Sequence, residues 1–301
     1  MKVRKKREFT LMDIIIAVFM LGVIIITLYP FLNVLATSLN DAADTAKGGL
    51  TIFPRKFTLV NYKEIFSGNS QLLRAFSNSV LRTVIGTLAG VFSCCVYAYV
   101  ISRRDFMFRK QATTLLILTM YVSGGLIPTY LVIRGLGLIN NFAVYILPML
   151  LSAYNVIVIR SFIEGLPDAL EESAKIDGAN DLTIFIKIIL PLCKPVIATI
   201  ALFIAVGQWN SWFDTYLYAK TNNNLTTLQY ELMKILDNAS AQVSSGGQSA
   251  TSSMELMNKA QTTPESIKMA ITIIATVPIV VVYPFLQKHF VSGLTLGAVK
   301  N

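Results

Sequence analysis

Residues 14–36 read IIIAVFMLGVIIITLYPFLNVLA, an apolar run without a single charge. A helix rises about 1.5 Å per residue, so a run of this length can cross the roughly 30 Å hydrocarbon layer of a bilayer. A secretory signal has a shorter apolar core, about 7–15 residues, with a small-residue cleavage site directly after it. No clean site of that kind follows here, so the run is read as a retained helix. The basic residues before it (Lys2, Arg4, Lys5, Lys6 and Arg7) anchor its inner end.

Working outward, five more runs have comparable character: Ser77–Ile101, Ala112–Ile133, Phe142–Ile163, Thr183–Val206 and Lys268–Leu286. The composition agrees with them. Of the 301 residues, 54% are hydrophobic and 14% charged, and the mean hydropathy is +0.59. Soluble domains carry about 25% charged residues, so this chain lacks the polar groups to cover a water-facing surface. This argues against a cytosolic enzyme and against a disordered chain. The net charge of +9 points to membrane topology and not to nucleic acid. Basic residues crowd the amino terminus and the link between the second and third runs (Arg103, Arg104, Arg109, Lys110), and are spread thinly through the loops after runs one and five. The positive-inside rule then places both termini, the second-to-third link and the fourth-to-fifth link in the cytoplasm. The expected fold is all-α: a polytopic membrane protein with six transmembrane helices (14–36, 77–101, 112–133, 142–163, 183–206 and 268–286) and both ends inside. Tails at 1–13 and 291–301 flank a permease domain at 14–290. Extracytoplasmic loops cover 37–76 and 207–266, the latter with a polar tract, SSGGQSATSS, at 244–253.

Several chemistries are missing. No GxxxxGK[ST] motif offers a nucleotide cradle. The lone histidine, His289, at the inner edge of the last run, is read as interfacial. Cys94, Cys95 and Cys193 sit in or beside apolar runs, with no metal-binding spacing and no disulfide framework. No Asp or Glu falls in the middle of a run, which weighs against an ion-coupled secondary transporter. Arg82 lies inside run two, near its outer end. It either snorkels to the outer water or faces a wet cavity with Asn78, Ser79 and Thr83. Asn78, Ser79, Arg82, Tyr121, Tyr154 and Asn155 are the candidate substrate-pathway residues, each competing with a plain role in helix–helix hydrogen bonding. Where run five ends, Trp209, Asn210, Trp212, Phe213, Tyr216 and Tyr218 form either an interfacial aromatic belt or a surface for a sugar or a docked binding protein.

The fourth-to-fifth link reads EGLPDALEESAKIDGANDLTIFIKIILPLCKP (164–195). Its middle is expected to be a short helix, 168–178, with Pro167 suited to the first helical position. Asp168 and Glu171 sit at the positive end of the helix dipole, and Glu171 and Lys175 form an i,i+4 pair. Gly178 stops the helix and Asn180 or Asp181 caps the next one. Leu170, Ser173, Ala174 and Asp177 share one flank, small enough for another surface to approach.

The spacing Glu172-Ser173-Ala174, three residues, Gly178, nine residues, Ile188, one residue, Leu190-Pro191 is similar to the EAA signature of binding-protein-dependent ABC importer permeases. LEESAKIDGA (170–179) and GLTLGAVKN (293–301) resemble the carbohydrate-uptake branch, in particular permeases paired with lipoprotein-anchored oligosaccharide binders. Ser173 stands where alanine is usual. The resemblance implies a second permease subunit that forms a heterodimer with this one, two cytoplasmic ABC ATPases, and an extracytoplasmic solute-binding lipoprotein. It also implies that ATP and Mg are held by the ATPases and none by this chain. Leu170, Glu171, Glu172, Ser173, Ala174, Asp177 and Gly178 are the residues it implies dock an ATPase, with Glu172 as anchor. Kinks at Pro191 and Pro195 are expected to shape the span that this helix drives. The carboxyl tail is expected to reach the ATPase pair, and a permease for another solute class is the alternative.

Overall fold

The computed structural model describes residues 11–68, 70–244 and 263–298. The basic amino-terminal tail, most of the 244–253 tract, the His289 side chain and residues 299–301 lie outside the described residues. The longer helices are α1 (Leu11–Ser38), α2 (Ser70–Ser102), α3 (Arg109–Tyr121), α4 (Leu126–Gly135), α5 (Ala153–Ile163), α6 (Ala169–Ile176), α7 (Lys194–Asn210), α8 (Leu228–Ser244) and α9 (Pro264–Ala298). Among the described residues the only β pairing is one isolated antiparallel bridge, Asn40 to Phe57. The described residues form an all-helical fold.

Three of the apolar runs fold as continuous helices long enough to span a bilayer, within α1, α2 and α9. The others are bent or broken. Run four becomes a 3₁₀ stretch, Phe142–Met149, joined to α5 at 46°, and run five becomes Asp181–Leu192 joined to α7 at 81°. The second bend falls at Cys193, between the two prolines expected to kink the run. Pro191 and Pro195 bring no N–H to the helical ladder, and a π-turn at Phe185–Ile189 precedes them. The run expected to be one helix over 112–133 is instead two, α3 and α4. Val122 is extended and Gly125 has φ +84°, so Val122-Ser123-Gly124-Gly125 breaks the ladder.

Two compact units divide the chain, 70–234 with 275–301, and 1–69 with 235–274. In the first, α2 packs along α7 and α5. Gly86, Gly90, Cys94 and Ala98 recur every fourth residue, so they line one stripe of α2 where α7 comes close. A Cβ on Gly90 would lie 3.3 Å from Ile204. Below this stripe Cys95, Tyr99, Val156, Ile159, Ile184, Phe185 and Ile200 close a buried core. At Gly86 a Cβ would lie 2.7 Å from the Gln208 amide nitrogen. That amide cannot swing away, because it donates to the Tyr145 carbonyl (3.0 Å) and accepts from Arg82. Gly86→Ala is therefore expected to destabilise the chain by about 1–3 kcal/mol, the usual overpacking cost. Denaturation in detergent micelles measures this; an unchanged midpoint would mean that Gln208 is free to move.

In the other unit α1 leaves its apolar side chains exposed along nearly its whole length. The chain after it folds on buried polar groups. Asn40 donates to Asp44 (3.1 Å) and accepts from the Lys56 amide (2.8 Å). Asn61 donates to the Ser38 and Asn40 carbonyls. The hydrogen bond from Asn40, with the Arg55 guanidinium 2.9 Å away, outweighs burial and holds the Asp44 carboxyl below its ordinary value. At the start of α9, Thr263 and Ser266 cap each other's amides reciprocally (3.2 and 3.0 Å).

Candidate functional site

α6 is built as its sequence directs, with two corrections. The helix begins at Ala169 with Asp168 as N-cap; Pro167 lies before the cap, where its carbonyl accepts from the Leu170 amide at 3.2 Å. At the other end the Gly178 amide donates to the Lys175 carbonyl (3.0 Å) and the Ala179 amide to the Ala174 carbonyl (2.9 Å). These two bonds define a Schellman motif, which requires the left-handed φ of +82° that Gly178 adopts. Asn180 then caps the next turn, accepting from the Thr183 amide at 2.8 Å. A rigid corner results.

The second correction concerns Glu171 and Lys175, which do not pair with each other. Glu171 binds Arg103 at 2.5 Å and Lys175 faces Asp105 at 3.8 Å. A guanidinium brought in from the 103–109 link offers a shorter, less solvated partner than a flexible lysine on the same helix. Arg103, just beyond the end of α2 and 8% exposed, also binds Asp181 at 2.9 Å and Asp105 at 3.4 Å. It lies over the Tyr99 ring. Around it, Arg104 reaches the N-cap Asp168 (2.8 Å), and Arg109 and Arg160 both reach Glu164 (2.7 and 2.9 Å). Hydrogen bonding from Arg103 holds the Asp105 carboxyl below its usual range. Burial pushes Glu164 upward, but its two arginines outweigh that and keep it low. A cleft of about 480 Å³ opens between the two links, lined by Arg103, Arg104, Asp105, Glu172 and Lys175 among others.

This scaffold sorts the docking residues into two faces. Ala174 is buried and Glu171 is turned onto Arg103. Leu170, Glu172, Ser173, Asp177 and Gly178 are exposed. Ile176, which the sequence reading passed over, is 86% exposed. An isoleucine set between Lys175 and Asp177 was the available signal. Arg103 was read only as a topological marker, although a cluster of arginines facing a link rich in acids already suggested pairing.

The substrate-pathway residues are not gathered at one place. Asn78 donates to the Asn224 and Thr226 carbonyls (2.7 and 2.9 Å), and Ser79 accepts from the Leu228 amide (2.9 Å). Arg82 neither snorkels nor meets a wet cavity. It is fully buried and forms an ion pair with Asp214 at 2.5 Å. It also donates to Gln208 (3.1 and 2.9 Å) and to the Ser211 carbonyl (3.3 Å), with the Tyr145 ring 4.5 Å away. Tyr121 and Tyr154 are exposed, while Asn155 is buried near the start of α5. Trp209 is buried in the last turn of α7, donating to the Ala275 carbonyl at 2.8 Å and meeting Phe76 edge-on. Asn210 is exposed and accepts from Gln229. Trp212, Phe213 and Tyr216 form a half-exposed ring cluster with Lys220 over Tyr216.

Residues 83–296 match the family described as "Binding-protein-dependent transport system inner membrane component". The chain is 41% identical to Protein LplC of Bacillus subtilis, over 96% of this chain and 95% of that one. It is also 41% identical to the polygalacturonan/rhamnogalacturonan transport system permease protein YtcP of the same organism, over 97% and 99%. Its fold is similar to a chain in the crystal structure of a bacterial ABC transporter involved in the import of the acidic polysaccharide alginate. That likeness has a TM-score of 0.82 and 25% identity, and covers 95% of this chain and all of the other.

Proposed function

Because this chain belongs to the binding-protein-dependent transport system inner membrane components, we propose that it is the permease subunit of an ATP-driven importer that admits an oligosaccharide or related glycan. The observation that carries the reading is α6: an EAA-like helix fixed from behind by Arg103, with Glu172, Ser173, Ile176 and Asp177 free to meet a partner. An ATPase grips that face, Glu172 sitting against a basic group of its cleft. ATP-driven closure of the ATPase pair moves α6 together with its counterpart on a second permease subunit, and the cavity flips from inward- to outward-facing. No bond is made or broken in this chain.

Six crossings with both ends in the cytoplasm account for the distribution of basic residues. The broken run 112–133 is one crossing, since unwound backbone at membrane depth is tolerated where it lines water or packs on protein. The exposed ring cluster at Trp212, Phe213 and Tyr216 supports an outer surface for a lipoprotein binder, and Tyr121 and Tyr154 support a pathway facing the second permease. Names of similar proteins that carry polygalacturonan, rhamnogalacturonan and alginate support a polysaccharide fragment as cargo. In proteoliposomes the reading predicts uptake of such a fragment only when the ATPases, a binder and ATP are all present. Uptake by this chain alone, driven by an ion gradient, would overturn it.

A further inference from the structure

The structure assigns Arg103 the role of carrying displacement of α6 into α2. This rests on the reading that an ATPase grips α6, and concerns what happens behind the gripped face. Arg103 is nearly buried, and its guanidinium holds three carboxylates from different parts of the chain. Glu171 comes from α6 itself, Asp181 from the turn that leaves it, and Asp105 from the link beyond α2 (2.5, 2.9 and 3.4 Å). Both limbs of the α6 corner are thus fastened to one side chain at the inner end of α2. Tyr99, one turn back on α2, adds a hydrogen bond to the Asp181 carbonyl and accepts one from Arg103 (both 3.3 Å).

The geometry suits traction. Five N–H groups on a planar fork resist rotation in a way that a single ammonium does not. No charged residue lies between Arg103 and Arg82, and at about 1.5 Å per residue the two are about 30 Å apart along α2, one hydrocarbon thickness. At Arg82 the same helix is fastened again, to Gln208, Ser211 and Asp214. A pull on α6 therefore enters α2 at Arg103 and reaches the segment after α7 through a rod clamped at both ends. Ala174, the one α6 side chain buried in the core, is too small to transmit such a pull by itself.

The test is the ATP hydrolysed per glycan imported, measured on the whole importer in proteoliposomes. Arg103→Ala is expected to keep the ATPases bound and hydrolysing while this ratio rises about tenfold, within the range of measured couplings between sites. Glu171→Gln and Asp181→Asn are expected to raise it by smaller factors. The exchange Arg103→Glu with Glu171→Arg is expected to recover part of the loss, which a merely structural residue would not show. If Arg103→Ala does not assemble, Arg103→Lys serves: it keeps the charge but loses the fork, and is expected to raise the ratio about threefold on the same scale. An unchanged ratio in the variant that assembles, or hydrolysis and uptake falling in proportion, overturns the proposal. Failure of the underlying reading shows separately, as ATPases that still copurify and drive normal uptake in Glu172→Ala and Gly178→Val.

Discussion

Replacing Asp214 with alanine is expected to destabilise the chain by about 3–5 kcal/mol, the cost of stranding a buried charge. Arg82 is 0% exposed, and all five of its N–H groups are used: Nε on Gln208, Nη1 on Ser211 and Asp214, Nη2 on Gln208 and Asp214. With Asp214 gone, two donors and a full positive charge remain where water cannot reach. The same argument predicts that Arg82→Met combined with Asp214→Leu does less harm than either change alone, because removing both ions also removes their desolvation cost. Denaturation of the purified chain in micelles, run as a double-mutant cycle, measures both. A loss below about 1 kcal/mol for Asp214→Ala, the value of an exposed pair, would show that the cluster opens to water.

The second large effect is expected at Gly178. A Cβ there meets nothing within 4 Å, yet the backbone holds φ at +82°. Valine at this position would put its Cβ in open space, but it resists the left-handed conformation by roughly 1–2 kcal/mol and would undo the Schellman bonds. Glycan uptake by the assembled importer is expected to fall about a hundredfold in Gly178→Val, the upper range of a site-to-site coupling. Gly178→Asn is expected to keep most of it, since asparagine enters the left-handed region far more readily. Equal loss in both variants would mean that a partner surface presses on this position, so that space and not backbone conformation is what glycine provides.

The Gly178 corner shows where reading the chain in order succeeds. The Gly178 stop, the Asn180 cap, the apolar runs that fold as α1, α2 and α9 and the bend between Pro191 and Pro195 are local. Each depends on bonds between residues at most a turn or two apart, and the residue types at those spacings suffice. The break at residues 122–125 was less legible, because one mean level of hydrophobicity runs through it. Only the succession Ser123-Gly124-Gly125 hinted that the ladder would fail there.

What the amino-acid order determined by itself is the class of protein: several apolar runs of span length, and one short helix with a glycine-made corner. What the tertiary structure decided is which charges meet. Glu171 had Lys175 four residues away but pairs with Arg103, 68 residues distant. Arg82 had no carboxylate in any span but finds Asp214, 132 residues on, folded back from beyond α7. The reason is the range of the forces. Helix ladders and caps are set by neighbours along the chain, whereas a charge removed from water takes whichever opposite charge the packing brings within about 3 Å.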